Sequence, residues 1–219
     1  MTRRAAVAAV AAVAWSNVVL PALGLSSRGR AAAGTAVALG ATGVASAAGV
    51  SRRELGLVDF RSGLRWGSTA AAVPVVGYAV VAATPGLRSR LAVPAEPRSD
   101  FAEWVAVHIP FGTVLAEELL LRGVLTALTA RAWRPAPAAA VRALVFGLWH
   151  VHPAREARDS VPATVAFTAA SSLVFDWLRV RSGSVSAPAV LHLAVNAGGA
   201  LLVRRIQAIT GPGAPSPHG

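Results

Sequence analysis

Three groups of polar residues, each spaced four apart in an otherwise apolar stretch, carry the chemistry open to this 219-residue sequence. They are Glu117-Glu118 with Arg122, Phe146 with His150, and His192 with Asn196. On an α-helix, residues i and i+4 share a face, and Glu followed by Arg is the order that favours pairing, so Glu118 is expected to hold Arg122. Glu117 is turned about 100° away by the 3.6-residue period, which leaves it free for chemistry. Phe146 places a ring one turn from the His150 imidazole, where it fixes the rotamer or excludes water. His192 and Asn196 present an imidazole N–H and an amide NH₂ on one face. Two donors at that spacing suit a developing oxyanion.

Peptide hydrolysis needs an activated water, a group that returns a proton to the leaving amine, and donors for the tetrahedral oxyanion. Glu117, His150 and the His192/Asn196 pair supply a candidate for each. Other readings of the same residues stay open. The glutamates and Arg122 could be a packing cluster, His150 a satisfied histidine at a helix end, and His192 with Asn196 an interhelical hydrogen-bonding pair. Glu117, His150 and His192 could also converge as a His₂Glu zinc site, although no H-E-x-x-H motif is present. An ion or proton pathway would use the same residue types, but no repeat of the transporter kind is found. His152, followed by Pro153, is the weaker histidine candidate, and His218 lies in the tail.

The elements that must position these groups are membrane helices. The chain is 54% hydrophobic and 14% charged, against about 25% charged in a soluble domain. Four uncharged stretches, Ala5 to Ser27, Ala31 to Ser51, Trp66 to Leu87 and Ser182 to Val203, hold 21 to 23 residues each. About 20 helical residues cross a hydrocarbon core, so each can span. Three further apolar segments, near 104–130, 136–151 and 160–178, carry Glu117, Glu118, Arg122, Arg142, His150 and Asp176. Ionisable residues at that depth are costly and point to function. The first segment, with Arg3 and Arg4 before it, exceeds the usual signal-peptide core and is read as a retained helix. Arg52 to Arg65 reads as an interfacial helix or loop, and Leu87 to Asp100 as the main connecting loop.

The net charge of +11 is carried wholly by arginine, since no lysine occurs. Those arginines sit in pairs between apolar blocks, where they meet anionic headgroups, rather than on one basic face with aromatics. Nucleic acid is therefore not expected as a partner. Seven spans would leave ten arginines on one side and nine on the other, which sets no orientation. The absence of cysteine excludes thiolate catalysis and Cys-based zinc sites. Alanine and arginine usage points to a high-GC bacterial genome, and so to a plasma membrane.

The three motifs, in this order and each in an apolar segment, resemble those of the CPBP family: type II CAAX prenyl endopeptidases and bacteriocin-processing or immunity proteins, also called glutamic intramembrane proteases. The R-S-G-S and A-P steps before His192 are similar to the family's third-motif region, and the resemblance runs from Val107 to Leu202. It implies an intramembrane endopeptidase in which Glu117 is the base and His150 helps activate the water. His192 and Asn196 would form the oxyanion hole, with Glu118, Arg122 and Phe146 as structural support. No metal and no cofactor are implied, and the partners would be the bilayer and a membrane-associated peptide or protein substrate. A non-catalytic scaffold or immunity protein of the same fold, or a zinc-dependent protease, is the alternative. The expected architecture is an all-α polytopic bundle of about seven to eight helices in one domain, residues 1–209. Scaffold helices occupy 1–100 and motif-bearing helices 101–209, and a Pro/Gly-rich tail over 210–219 is expected to be disordered.

Overall fold

A computed structural model describes residues 2–91 and 98–210 of the chain. The chain folds as helices: α1 (Thr2–Ala22), α2 (Ser27–Ala47), α3 (Phe60–Ala83), α4 (Pro85–Leu91), α5 (Phe101–Ala132), α6 (Pro135–Trp149), α7 (Val151–Ala157), α8 (Val161–Ser182) and α9 (Ser186–Thr210). Their starts follow local chemistry. Ser26 caps α2 by accepting the Gly29 N–H at 3.2 Å. Pro135 opens α6, where its missing N–H costs nothing.

Among the described residues five helices, α1, α3, α5, α8 and α9, are long and apolar enough to cross a membrane, fewer than the seven spans read from the sequence. Two segments account for the difference. α2 begins with Arg28 and Arg30 and is rich in Gly, Ala, Thr and Ser. α6 has 15 residues, or about 22 Å of rise, because the helix breaks at His150. The expected connection from Leu87 to Asp100 begins instead as α4, and residues 92–97 lie outside the described part. Arg52 to Gly56 form turns and Leu57 bridges to Ser184, while Arg61 and Arg65 already belong to α3. Of the expected tail, 211–219 lie outside the described residues.

The outer surface is apolar, with Val10, Val44, Val73, Phe167 and Val180 exposed, as lipid contact requires. Inside, Leu121, Leu125, Phe146, Trp149, Phe175, Leu178 and Leu191 make one cluster where α5, α6, α8 and α9 meet. Small residues set how closely those helices pack. A Cβ on Gly67 of α3 would meet the Ala187 carbonyl oxygen of α9 at 2.7 Å. One on Gly147 of α6 would meet the Val165 carbonyl oxygen of α8 at 2.8 Å.

The turn before α3 locks onto the motif helices. Ser51 and Glu54 form a reciprocal capping box, with the Ser51 N–H donating to Glu54 Oε2 at 2.8 Å. Arg131 at the end of α5 grips the same carboxylate at 2.5 and 2.6 Å. Together they hold Glu54 well below its ordinary 4.5, at about 2. Arg179 of α8 donates to the Glu54 carbonyl at 2.8 Å and to the Arg122 carbonyl at 3.2 Å, tying this turn to the first motif.

Candidate active site

α5 carries the double glutamate in an unusual backbone. Trp104–Leu115 and Glu118–Leu125 form wide π turns, a helical form often found at functional sites. The wider turn changes the expected pairing. Arg122 Nη1 stands 3.7 Å from Glu118 Oε1, an ionic contact without a hydrogen bond. The close partner of Glu118 is His192, whose Nδ1 lies 2.8 Å from the same oxygen. Both glutamates are buried, at 7% and 1% exposure.

Glu117 is held differently. The Trp149 indole N–H donates to its Oε1 at 3.2 Å, and its Oε2 is 4.0 Å from His192 Nε2 with no hydrogen-bond partner among the described residues. No arginine pairs with it there. The two carboxylates thus face opposite nitrogens of one imidazole, an arrangement that cannot chelate a single ion through that ring. Among the described residues, no three His, Asp or Glu side chains form a group able to hold a metal.

His150 ends α6, and its Nδ1 is 2.8 Å from the Phe146 carbonyl oxygen. A carbonyl only accepts, so Nδ1 carries the proton and Nε2 keeps its lone pair when the ring is neutral. The Phe146 ring stands edge-on to His150 at 4.7 Å, with the Arg122 guanidinium 4.0 Å from its centroid. His192 stacks on Phe175 at 5.3 Å.

The site residues line three cavities, one of about 540 Å³ being reached by Asn196 but not by Glu117, His150 or His192. Glu117 faces one of about 350 Å³ with Trp15, His108, Thr113, Trp149 and His152. His150, His192 and Asn196 line another of about 210 Å³ with Phe146 and Phe175. His192 thus touches both groups, since it also meets the two glutamates. No hydrogen bond or ion pair joins Glu117 to His150, or His192 to Asn196, among the described residues. Asn196 keeps its amide unbonded there.

Several members of this centre have no part in the three motifs. Asp176 of α8 accepts from Arg142 Nε at 2.6 Å and lies 3.8 Å from Arg122 Nε. Arg142 also donates to Thr129 at 3.1 Å, and Arg122 to Ser172 at 3.2 Å. Arg142 and Asp176 are visible in sequence as ionisable residues in apolar segments, but only folding gives them partners. Trp149 is legible only as a neighbour of His150.

Residues 100–198 match the family model of Type II CAAX prenyl endopeptidase Rce1-like proteins. That segment contains all three motifs together with Arg142 and Asp176. This segment, a little under half of the chain, is similar to the Rce1-like family. The similarity over this segment points to a CAAX-type intramembrane protease, and hence to a hydrolase. Its five span-length helices make the bilayer its environment. No curated protein and no solved structure gives a match to the chain. The Rce1-like segment takes in α5 to α8 and the first half of α9, while α1 to α4 precede it.

Proposed function

We propose that the chain is a glutamic intramembrane endopeptidase of the bacterial plasma membrane, cutting a membrane-associated peptide with Glu117 as general base. The observation that carries this reading is the state of the Glu117 carboxylate. It is buried at a cavity wall, oriented by Trp149 through one oxygen and unpartnered at the other. A carboxylate neutralised by arginine would be a poor base, and among the described residues Glu117 has no such partner.

In the proposed reaction, Glu117 takes a proton from a water whose oxygen adds to the scissile carbonyl carbon. His150 helps orient that water through Nε2, which substrate entry must bring within reach of Glu117. The tetrahedral oxyanion accepts from the Asn196 amide, which donates in every protonation state. His192 adds a second donor through Nε2 when it carries both protons, flanked by Glu118 and Glu117 as counter-charges. Collapse breaks the C–N bond, and the proton taken from water passes to the leaving amine. Glu118, Arg122 and Phe146 keep the two histidines in place.

Glu117→Gln tests the reading. The variant should insert and resist heat as wild type does, yet release no peptide when membranes holding either protein are compared. Release at the wild-type rate refutes Glu117 as the base. Exhaustive chelation of the purified protein should leave the rate unchanged; a loss restored by zinc returns the metal mechanism.

A further inference from the structure

α1 lies outside the family-matched segment, yet two of its residues reach into the break that exposes His150. Where a helix would continue from α6 into α7, the Leu148 carbonyl would accept from the His152 N–H, and the Trp149 carbonyl from residue 153. Neither bond forms. Residue 153 is a proline and has no N–H. The His152 N–H donates to Asn17 Oδ1 at 2.7 Å, and Asn17 Nδ2 donates to the Leu148 carbonyl at 2.9 Å. The Asn17 carboxamide is therefore inserted into the one main-chain bond that would have closed the helix at this point. Ser16 Oγ fills the other position, donating to the Trp149 carbonyl at 2.6 Å.

A polar side chain inserted in the helical ladder is one of the few causes of a sharp break. Here it leaves His150 at φ −92° and ψ 6°, outside the helical range, between Trp149 and α7. α1 adapts at the same residues, widening into π turns over Trp15–Val19, and Asn17 is braced by its own Val13 carbonyl at 2.8 Å. In an apolar span, a hydroxyl and a carboxamide need such partners, and these two find them across the bundle.

We propose that Ser16 and Asn17 form a clamp that holds the α6–α7 break open, making them positioning residues for the peptidase centre. The clamp fixes both products of the break: the Trp149 indole on Glu117 and the His150 ring with Nε2 free. The proposal rests on the assignment of Glu117 and His150 to the reaction. It makes the first helix a working part of a site whose reacting groups all come from the other half of the chain.

The chain has no cysteine, so spin labels at Ala140→Cys and Ala157→Cys report the α6–α7 geometry without background. Asn17→Ala lets Leu148 and His152 pair directly. It should shift or broaden the label-to-label distance and slow peptide release from membranes about 10–100-fold, with thermal stability retained, as a small misplacement of reacting groups does. Ser16→Ala should act in the same direction and serves if Asn17→Ala fails to accumulate, while Ser16→Thr, which keeps the hydroxyl, should restore both readouts. An unchanged distance distribution in Asn17→Ala and Ser16→Ala overturns the clamp. So does wild-type release from Asn17→Ala where Glu117→Gln stops release. If Glu117→Gln also releases peptide normally, the failure belongs to the proposed function, and the distance measurement alone then decides the clamp.

Discussion

Removing Asp176 should be among the most destabilising single changes in this protein, because it leaves two buried guanidinium groups facing no carboxylate on α8. Asp176 accepts from Arg142 at 2.6 Å and stands 3.8 Å from Arg122, and all three side chains are at most about a tenth exposed. Two unit charges about 4 Å apart attract by about 4 kcal/mol at an effective dielectric of about 20. Breaking a buried pair by deleting one partner costs about 3–5 kcal/mol, since the survivor keeps its desolvation penalty. Asp176→Ala should therefore lose about 3–5 kcal/mol. Arg142 would retain only the Thr129 hydroxyl, and Arg122 only Glu118 and Ser172.

Unfolding in mixed micelles with rising SDS fraction measures this loss, and a double-mutant cycle shows where it comes from. Arg142→Leu with Asp176→Leu removes the pair together and fills its volume with apolar atoms. That double variant should recover most of the loss and stay within about 1 kcal/mol of wild type, since buried pairs are often replaceable as a unit. Arg122 limits the recovery, because it still loses its neighbour at 3.8 Å. A loss below about 1 kcal/mol for Asp176→Ala, or single-variant losses that simply add, would refute the reasoning.

Three further outcomes are expected. His192→Ala and Asn196→Ala should each lower kcat by about 10²–10³, the range for losing an oxyanion donor, whereas a raised KM at unchanged kcat assigns them to binding. Gly67→Val should cost about 1–3 kcal/mol in SDS unfolding, because even its Cβ would meet Val190 Cβ at 2.8 Å; no loss would mean that α3 and α9 do not pack this closely. Glu54 titrates at about 2 when folded against an ordinary 4.5, so its contribution is complete above about pH 4.5 and fades as pH falls towards 2. It is about one-third exposed, so water limits the gain over Glu54→Gln to about 1 kcal/mol. Stability curves of the two proteins should converge in acid, and a gap that widens there is the contrary result.

The apolar blocks made the helical membrane fold legible, and the scarce charges within them marked the centre. What sequence spacing could not supply was the local helix type. The pairing of Glu118 with Arg122 is drawn from α-helical geometry, but the π turns of α5 loosen it to 3.7 Å and leave Glu118 to His192. Asp176 and Arg142 were visible as intramembrane charges without visible partners, because their contact joins α8 to α6. Ser16 and Asn17 were harder to see. They are uncharged, so they disappear inside a stretch counted for its lack of charge, and their role depends on carbonyls more than 130 residues away.

The pairing pattern also gives a reason why Glu117, rather than its neighbour, is suited to proton transfer. The buried charged side chains of the centre comprise three acids, Glu117, Glu118 and Asp176, and three arginines, Arg122, Arg142 and Arg179. The balance is even in number but not in placement. Arg142 is committed to Asp176, and Arg122 lies between Asp176 and Glu118. Arg179 donates to main-chain carbonyls of Arg53, Glu54 and Arg122 instead of to a carboxylate. One acid is thereby left without an arginine among the described residues, and it is the one that faces the cavity of about 350 Å³. Redirecting Arg122 should change this. In Asp176→Ala the glutamates are the only buried acids left for the freed Arg122 to approach, so any shift towards Glu117 would quench the base and lower peptide release beyond what lost stability explains. Release that falls only in proportion to the folded fraction would mean that Glu117 owes nothing to this distribution of charge.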